Sequence, residues 1–289
     1  MSIGSLESRA STAKSVSKFT EEDYENFNIH IQTSETCIEK RNVDAELSKF
    51  IMPDVSFTEV FNFMDIDGIT EQQRRFLRRL HDVLTKKGEK FIDDFISTLL
   101  TDGGFDDCQN LFCGPGDLQL KVGKRIHTAL PDRECRIYVG DDLQEVGWTV
   151  VENKTDKGFT KLSELQLAAC MIAAMQHNYN LPTQTSKSTR DILGILVSKD
   201  KFSFYRCTYN EAYIKSLISG YAIETIVIEK LFFSDPKGKK RAHLSRTASK
   251  NLISSLNIVD PVSRNRILEY LSYFKDYAIN FDPDTKEEV

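Results

Sequence analysis

Apolar residues recur at three- and four-residue spacing between positions 76 and 84. Phe76, Leu77, Leu80, Val83 and Leu84 fall on one side of a helix. The stretch "GEKFIDDFISTLLTDGGF" repeats the pattern with Phe91, Phe95, Ile96, Leu99 and Leu100, and Gly103-Gly104 supplies a stop. The period then drops to two. "LQLKVGKRIHTAL" (118–130), "CRIYVG" (135–140) and "WTVVENK" (148–154) predict three short strands, with Asp141 and Asp142 opening the turn between the last two. "KLSELQLAACMIAAMQHNYN" (161–180) is apolar around most of its circumference from 167 to 175, which predicts a helix buried against a sheet. "DILGILV" and "FSFYRC" around "SKDK" predict a hairpin, and "TIVIEKLFF" one more strand. Asp260-Pro261 opens a last amphipathic helix that carries Ile267, Leu268, Leu271 and Phe274 inward.

This order of elements predicts an α/β (α+β) domain, a mixed central sheet flanked by helices. Four segments are expected: a flexible polar arm over 1–55, a helical extension over 56–87, the principal domain over 88–280 and an acidic tail over 281–289. The arm follows from composition, since eight of the first twenty residues are Ser or Thr. At 289 residues and 40% hydrophobic, the chain can bury a real core. A net charge of −5 argues against a protein that coats nucleic acid nonspecifically, but leaves room for a local basic groove. Six scattered cysteines read as reduced thiols in an intracellular, cytoplasmic or nuclear compartment; Cys108 and Cys113 have no second pair at zinc-finger spacing. The longest wholly apolar run, 167–175, is too short to span a bilayer, so no membrane partner is expected.

The chemistry concentrates at the end of "WTVVENKT". Glu152 and Lys154 share one face of a strand whose preceding residues are apolar, and charges at the end of an interior strand are costly unless something uses them. Pro131-Asp132 stands at the start of "CRIYVG". If the two strands pair, Asp132 reaches the same end of the sheet as Glu152, and two carboxylates there suit Mg²⁺ or Mn²⁺. Such a pair with a nearby lysine is what metal-assisted phosphodiester hydrolysis needs.

Pro-Asp, a gap and then Glu-x-Lys resembles the signature of the PD-(D/E)XK nuclease superfamily. The resemblance implies a restriction-endonuclease-like core, with the motif on the second and third strands of a meander. It also implies that Asp132 and Glu152 are metal ligands, that Lys154 acts at the attacking water, and that a glutamine on the following helix, Gln166, supports them. An acid from the first helix completes the family's site; Glu89, Asp93 and Asp94 are available, and Asp93 is preferred. "VVENKT", "ELQLAACMIAAMQHNY", "GILVSKDKFSFYRC" and "DPVSRNRILEYL" further resemble the nuclease-like C-terminal domains of fungal and oomycete Crinkler-type proteins over roughly 90–275. That likeness implies action on nucleic acid, on DNA in the nucleus. The family's N-terminal translocation motif is absent here.

Several positions carry two readings. Ser163-x-x-Gln166 also fits a helix capping box. Asp141 or Asp142 could replace Asp132 as the metal acid, although both suit a hairpin turn. His127 reads as a solvated strand residue or a site residue. The basic stretch "KGKKRAHLSR" (237–246) suits phosphate contact, nuclear import or a plain solvated loop. Lys121, Lys124 and Arg125 form a second basic cluster, expected near the site. Phe202, Phe204 and Tyr205 are core residues or base-stacking rings. An inactive nuclease-like domain used only for binding is the competing account of the whole chain.

Overall fold

A computed structural model describes residues 14–34, 43–52, 54–106, 111–139, 144–155, 160–182, 189–231 and 255–280. In chain order, a short α1 (Glu21–Glu25) leads to strand β1 (Ile29–Thr33), followed by helices α2 (Ala45–Ile51), α3 (Phe57–Phe61), α4 (Glu71–Thr85) and α5 (Glu89–Leu100). Strands β2 (Leu111–Gly114), β3 (Leu118–Val122), β4 (Arg125–Ala129), β5 (Arg133–Val139) and β6 (Gln144–Lys154) precede helix α6 (Lys161–Tyr179). The chain continues with β7 (Ile192–Ser198), β8 (Lys201–Cys207), α7 (Glu211–Ser219), β9 (Ile226–Lys230), β10 (Leu256–Asn257) and α8 (Pro261–Asn280). Among the described residues no helix is long and apolar enough to cross a membrane.

The central sheet runs β1-β9-β8-β7-β6-β5-β2, with β10 added along β8. It is mixed: β6 pairs antiparallel with β5 and parallel with β7, and β1 pairs parallel with β9. Each face carries its own core. On one side α2, α4, α5, the turn after α5 and α8 pack Phe76, Phe95, Phe105, Leu271 and Phe274 against Trp148, Val151 and Ile195. On the other, α6 lies with Leu167 to Met175 wholly buried over Val150, Ile192 and Leu196. A helix that is apolar all round needs neighbours all round. The β3–β4 hairpin, α7 and the N-terminal segment supply them on the side away from the sheet.

That packing corrects four sequence expectations. Residues 118–130 are not the first strand of the motif meander; they form a separate two-stranded sheet on α6, and the strand beside β5 is β2. The described parts of the expected arm are likewise built into the domain. Val16, Phe19, Tyr24 and Phe27 are buried against α6 and the hairpin, β1 extends the main sheet, and Leu47, Phe50 and Ile51 enter the opposite core. Helix α4, expected as an extension, shares that core with α5 and α8. His127, expected in solvent, is buried edge-on against Phe19, and its Nδ1 accepts a hydrogen bond from the Lys14 amide. Each buried aromatic is worth about 1.5–3 kcal/mol of burial. A chain beginning at residue 35 is therefore expected to lose most of a typical domain's net stability. A urea midpoint equal to that of the full chain would show the segment to be dispensable.

Strand β6 contains an irregularity that matters for the site. Its register against β5 shifts between Cys135 and Arg136: Cys135 faces Thr149 while Arg136 faces Gly147, which leaves Trp148 as the extra residue of a bulge. Val146 and Trp148 lie in the core under α4, α5 and α8, whereas Val150 lies in the core under α6. Even-numbered side chains thus change faces across the bulge. Trp148 stacks on Phe105 with ring centroids 5.6 Å apart, filling the space the bulge opens.

Candidate active site

Because β5 and β6 are antiparallel with Arg133 opposite Val151, Asp132 arrives level with Glu152 at the end of the sheet. The bulge has already turned Glu152 and Lys154 toward α6. There Glu152 Oε1 accepts hydrogen bonds from Lys154 Nζ at 2.9 Å and from the Gln166 amide. Its other oxygen, Oε2, is buried without a hydrogen-bond partner. Glu152 is 2% exposed. Burial pushes its carboxyl up to about 7; Lys154 and Gln166 pull it down, and the Asp132 charge pushes it further up.

Asp132 is held from the opposite direction. Its Oδ2 accepts a hydrogen bond from the Asn153 backbone amide at 2.6 Å. Burial raises its carboxyl above the ordinary range, and the charge of Asp93 adds to the rise. The Asn153 side chain points to the other face of the sheet and donates to Asp93 Oδ1 on α5 at 2.7 Å. One strand end therefore gathers acids from three elements: Asp132 before β5, Glu152 on β6 and Asp93 on α5.

The structure brings together Asp93, Asp132, Glu152, Lys154 and Gln166. Gln166 takes no part in the helix cap. Thr160 and Ser163 form the reciprocal capping pair of α6, one turn earlier than the sequence pattern suggests, which leaves the Gln166 amide to Glu152. Asp94 pairs instead with Arg79. Asp141 and Asp142, like "KGKKRAHLSR" and the acidic tail, lie outside the described residues. The Lys121–Arg125 cluster is not at the site. The Lys121 amide bonds Gln176, ten residues beyond Gln166 on α6, about 15 Å along the helix. Lys124 and Arg125 line a groove with Lys14, Asp23 and Tyr221 instead. Phe202, Phe204 and Tyr205 are core residues, and the Tyr205 hydroxyl is spent on Glu164. Asn153 is the residue that sequence reasoning missed. The x of Glu-x-Lys carries no constraint in the motif, and only the register of β5 against β6 reveals its bond to Asp132.

Two carboxylates raised by burial, one of them also by the charge of the other and with one oxygen unmatched, form a hard-oxygen donor set that suits a divalent cation. Among the described residues no three His, Cys, Asp or Glu side chains enclose an ion by themselves. Mg²⁺ is commonly held by one or two carboxylates with water and substrate phosphate completing its shell, so the pair fits. No protein-family model matches the chain, and no curated protein matches its sequence.

Proposed function

We propose that the chain is a Mg²⁺- or Mn²⁺-dependent nuclease with a restriction-endonuclease-like core, related to the PD-(D/E)XK enzymes and to Crinkler-type nuclease-like domains. DNA is the proposed substrate. The observation that carries this reading is the convergence of Asp132 and Glu152 from paired strands, beside Lys154, with a buried Glu152 oxygen left unmatched.

Asp132 and Glu152 would hold the cation, which when bound supplies a polarised phosphate and a water of lowered pKa. The chain's own groups do the rest. The Asn153 amide fixes the Asp132 carboxylate, and Gln166 fixes that of Glu152. Lys154 carries an ammonium beside the site, where it orients the attacking water and offsets negative charge growing on the phosphate. Asp93, tied in through Asn153, sets the approach of α5 to the strand end.

The test is cleavage of single- and double-stranded DNA and RNA with Mg²⁺, with Mn²⁺ and with EDTA. Cleavage that EDTA stops is the expected result, and the preferred polymer names the substrate. A folded protein that cuts nothing under any metal would overturn the reading in favour of an inactive binding domain.

A further inference from the structure

Strand β2 closes the central sheet on the β5 side and, among the described strands, is paired along one edge only. Its third residue, Cys113, stands directly opposite Cys135 of β5. Residues so opposed across antiparallel strands hold their Cβ atoms about 4.5–5.5 Å apart, close to the separation of about 3.5–4.5 Å that a disulfide requires. Both side chains belong to the core under α4, α5 and α8, and the Cys135 thiol donates to Cys113 Sγ at 2.9 Å. Cys170 and Cys207 are buried in the opposite core, across the sheet, so neither competes for this contact.

The two sulfurs differ in access. Cys135 is 0% exposed, and burial pushes its thiol well up, helped by the hydrogen bond to Cys113. Cys113 is half-buried on the edge of the sheet, where a small oxidant reaches it first. Packing alone accounts for a buried cysteine such as Cys170. It does not call for a second thiol aligned on the first from the neighbouring strand.

We propose that Cys113 and Cys135 form a reversible disulfide that clamps the edge strand β2 to β5, with a low-molecular-weight disulfide such as glutathione disulfide as the oxidant. The Cys113 thiolate attacks one sulfur of the small disulfide, breaking its S–S bond and releasing one thiol. Cys135 then gives up its proton and attacks the Cys113 sulfur of the mixed disulfide, which releases the second thiol. Two cysteine thiols are oxidised, one small disulfide is reduced to two thiols, and these carry both protons away. The bond closes a loop across 22 positions that holds the β3–β4 hairpin and Asp132. None of this depends on what the acids at the end of β6 do.

The test takes the full chain, fully reduced, into native buffers of graded reduced and oxidised glutathione, followed by acid quench, alkylation and peptide mapping without reduction. The expected product is a peptide linked through Cys113 and Cys135 that grows with the oxidised fraction and vanishes on return to dithiothreitol. The melting midpoint should rise with it by about 5 °C, since a cross-link restricts the unfolded chain, and should fall back on reduction. Cys113→Ser should abolish both effects and leave Cys135 unmodified, whereas Cys135→Ala should leave Cys113 capped by a single glutathione. Cys113→Ser, at the half-buried partner, carries the test if Cys135→Ala does not fold. A folded protein in which Cys113 stays a thiol, stops at the mixed disulfide or links to Cys108 would overturn the assignment. So would a linked peptide with an unmoved midpoint, because such a bond clamps nothing.

Discussion

Glu152→Gln is expected to lower cleavage about a thousandfold or more and, at the same time, to remove a pH dependence from stability. On the proposed function, the first effect follows from losing one of the two carboxylates that would hold the cation and the charge that fixes Lys154. The second follows from burial. The Glu152 carboxyl stands at about 7 in the folded protein against an ordinary 4.5. Below pH 4.5 it is protonated in both states and its contribution to stability is complete. As pH rises through 7 the native protein must ionise a buried group that the unfolded chain ionised earlier, and that contribution is lost. The loss is on the order of 3 kcal/mol. The substituted glutamine cannot ionise, so the variant's unfolding profile between about pH 5 and 8 should lack this slope. Millimolar Mg²⁺ should restore stability to the unsubstituted protein at about pH 8 and do little for the variant. Melting curves across pH, with and without Mg²⁺, read this independently of activity. Undiminished cleavage by the variant would remove Glu152 from the mechanism, and coincident pH profiles would remove the buried charge.

Arg264→Met is expected to be among the most destabilising single changes in the molecule. Arg264 is wholly buried at the start of α8. Its Nε donates to the Ile258 carbonyl at 2.6 Å, its Nη1 to those of Met52 and Val55 at 2.8 Å, and its Nη2 to that of Val259 at 2.9 Å. These carbonyls belong to the end of α2, the loop after it and the turn before α8. Burial depresses the guanidinium to about 10, against the pull of Asp260 and Glu59, and it remains charged at neutral pH. Methionine fills the volume and abandons four carbonyls, each at about 1–3 kcal/mol when left dry. The sum approaches the whole stability of an ordinary domain. Arg264→Lys should rescue little, because three donors on one nitrogen cannot reach carbonyls spread over a guanidinium's width. A urea midpoint near that of the unsubstituted protein in Arg264→Met would show that water or rearranged backbone replaces the fork.

Helices α4, α5, α6 and α8 were legible because their apolar spacing is long and regular, whereas the shorter α1, α2, α3 and α7 were not read. Helix α6 was the clearest, and its full burial follows from having no polar face between 167 and 175. The pairing of β5 with β6 was legible too, and with it the meeting of Asp132 and Glu152. What escaped was set by distant partners. β1 is a half-polar strand in a Ser/Thr-rich stretch, and it forms because β9, nearly two hundred residues later, offers an edge. β2 spans only four residues, too few for a period to show. Helix α7 ends at Gly220 in the left-handed conformation, a stop readable in principle, but its buried face is only Tyr213, Ile214 and Leu217. Gln166 was ambiguous because cap and site call for the same residue type; the register of Thr160 decides it.

The bulge at Trp148 has a consequence for how this chain tolerates change in length. Everything beyond it toward Lys154 is paired with β7, whereas the residues before it are paired with β5 and tied to α6 through Asn178 and His177. Removing one residue at 148–149 would let β6 pair with β5 residue for residue, with Gly147 still opposite Arg136 and Val150 and Val151 still opposite Glu134 and Arg133. Glu152 and Lys154 would keep their face beneath α6, at the cost of the stack between Trp148 and Phe105. Adding one residue between Val151 and Glu152 would instead turn the pair toward the layer under α5, because a shift of one residue exchanges the two faces of a strand. The spare residue of the bulge thus gives β6 room to lose a residue and none to gain one.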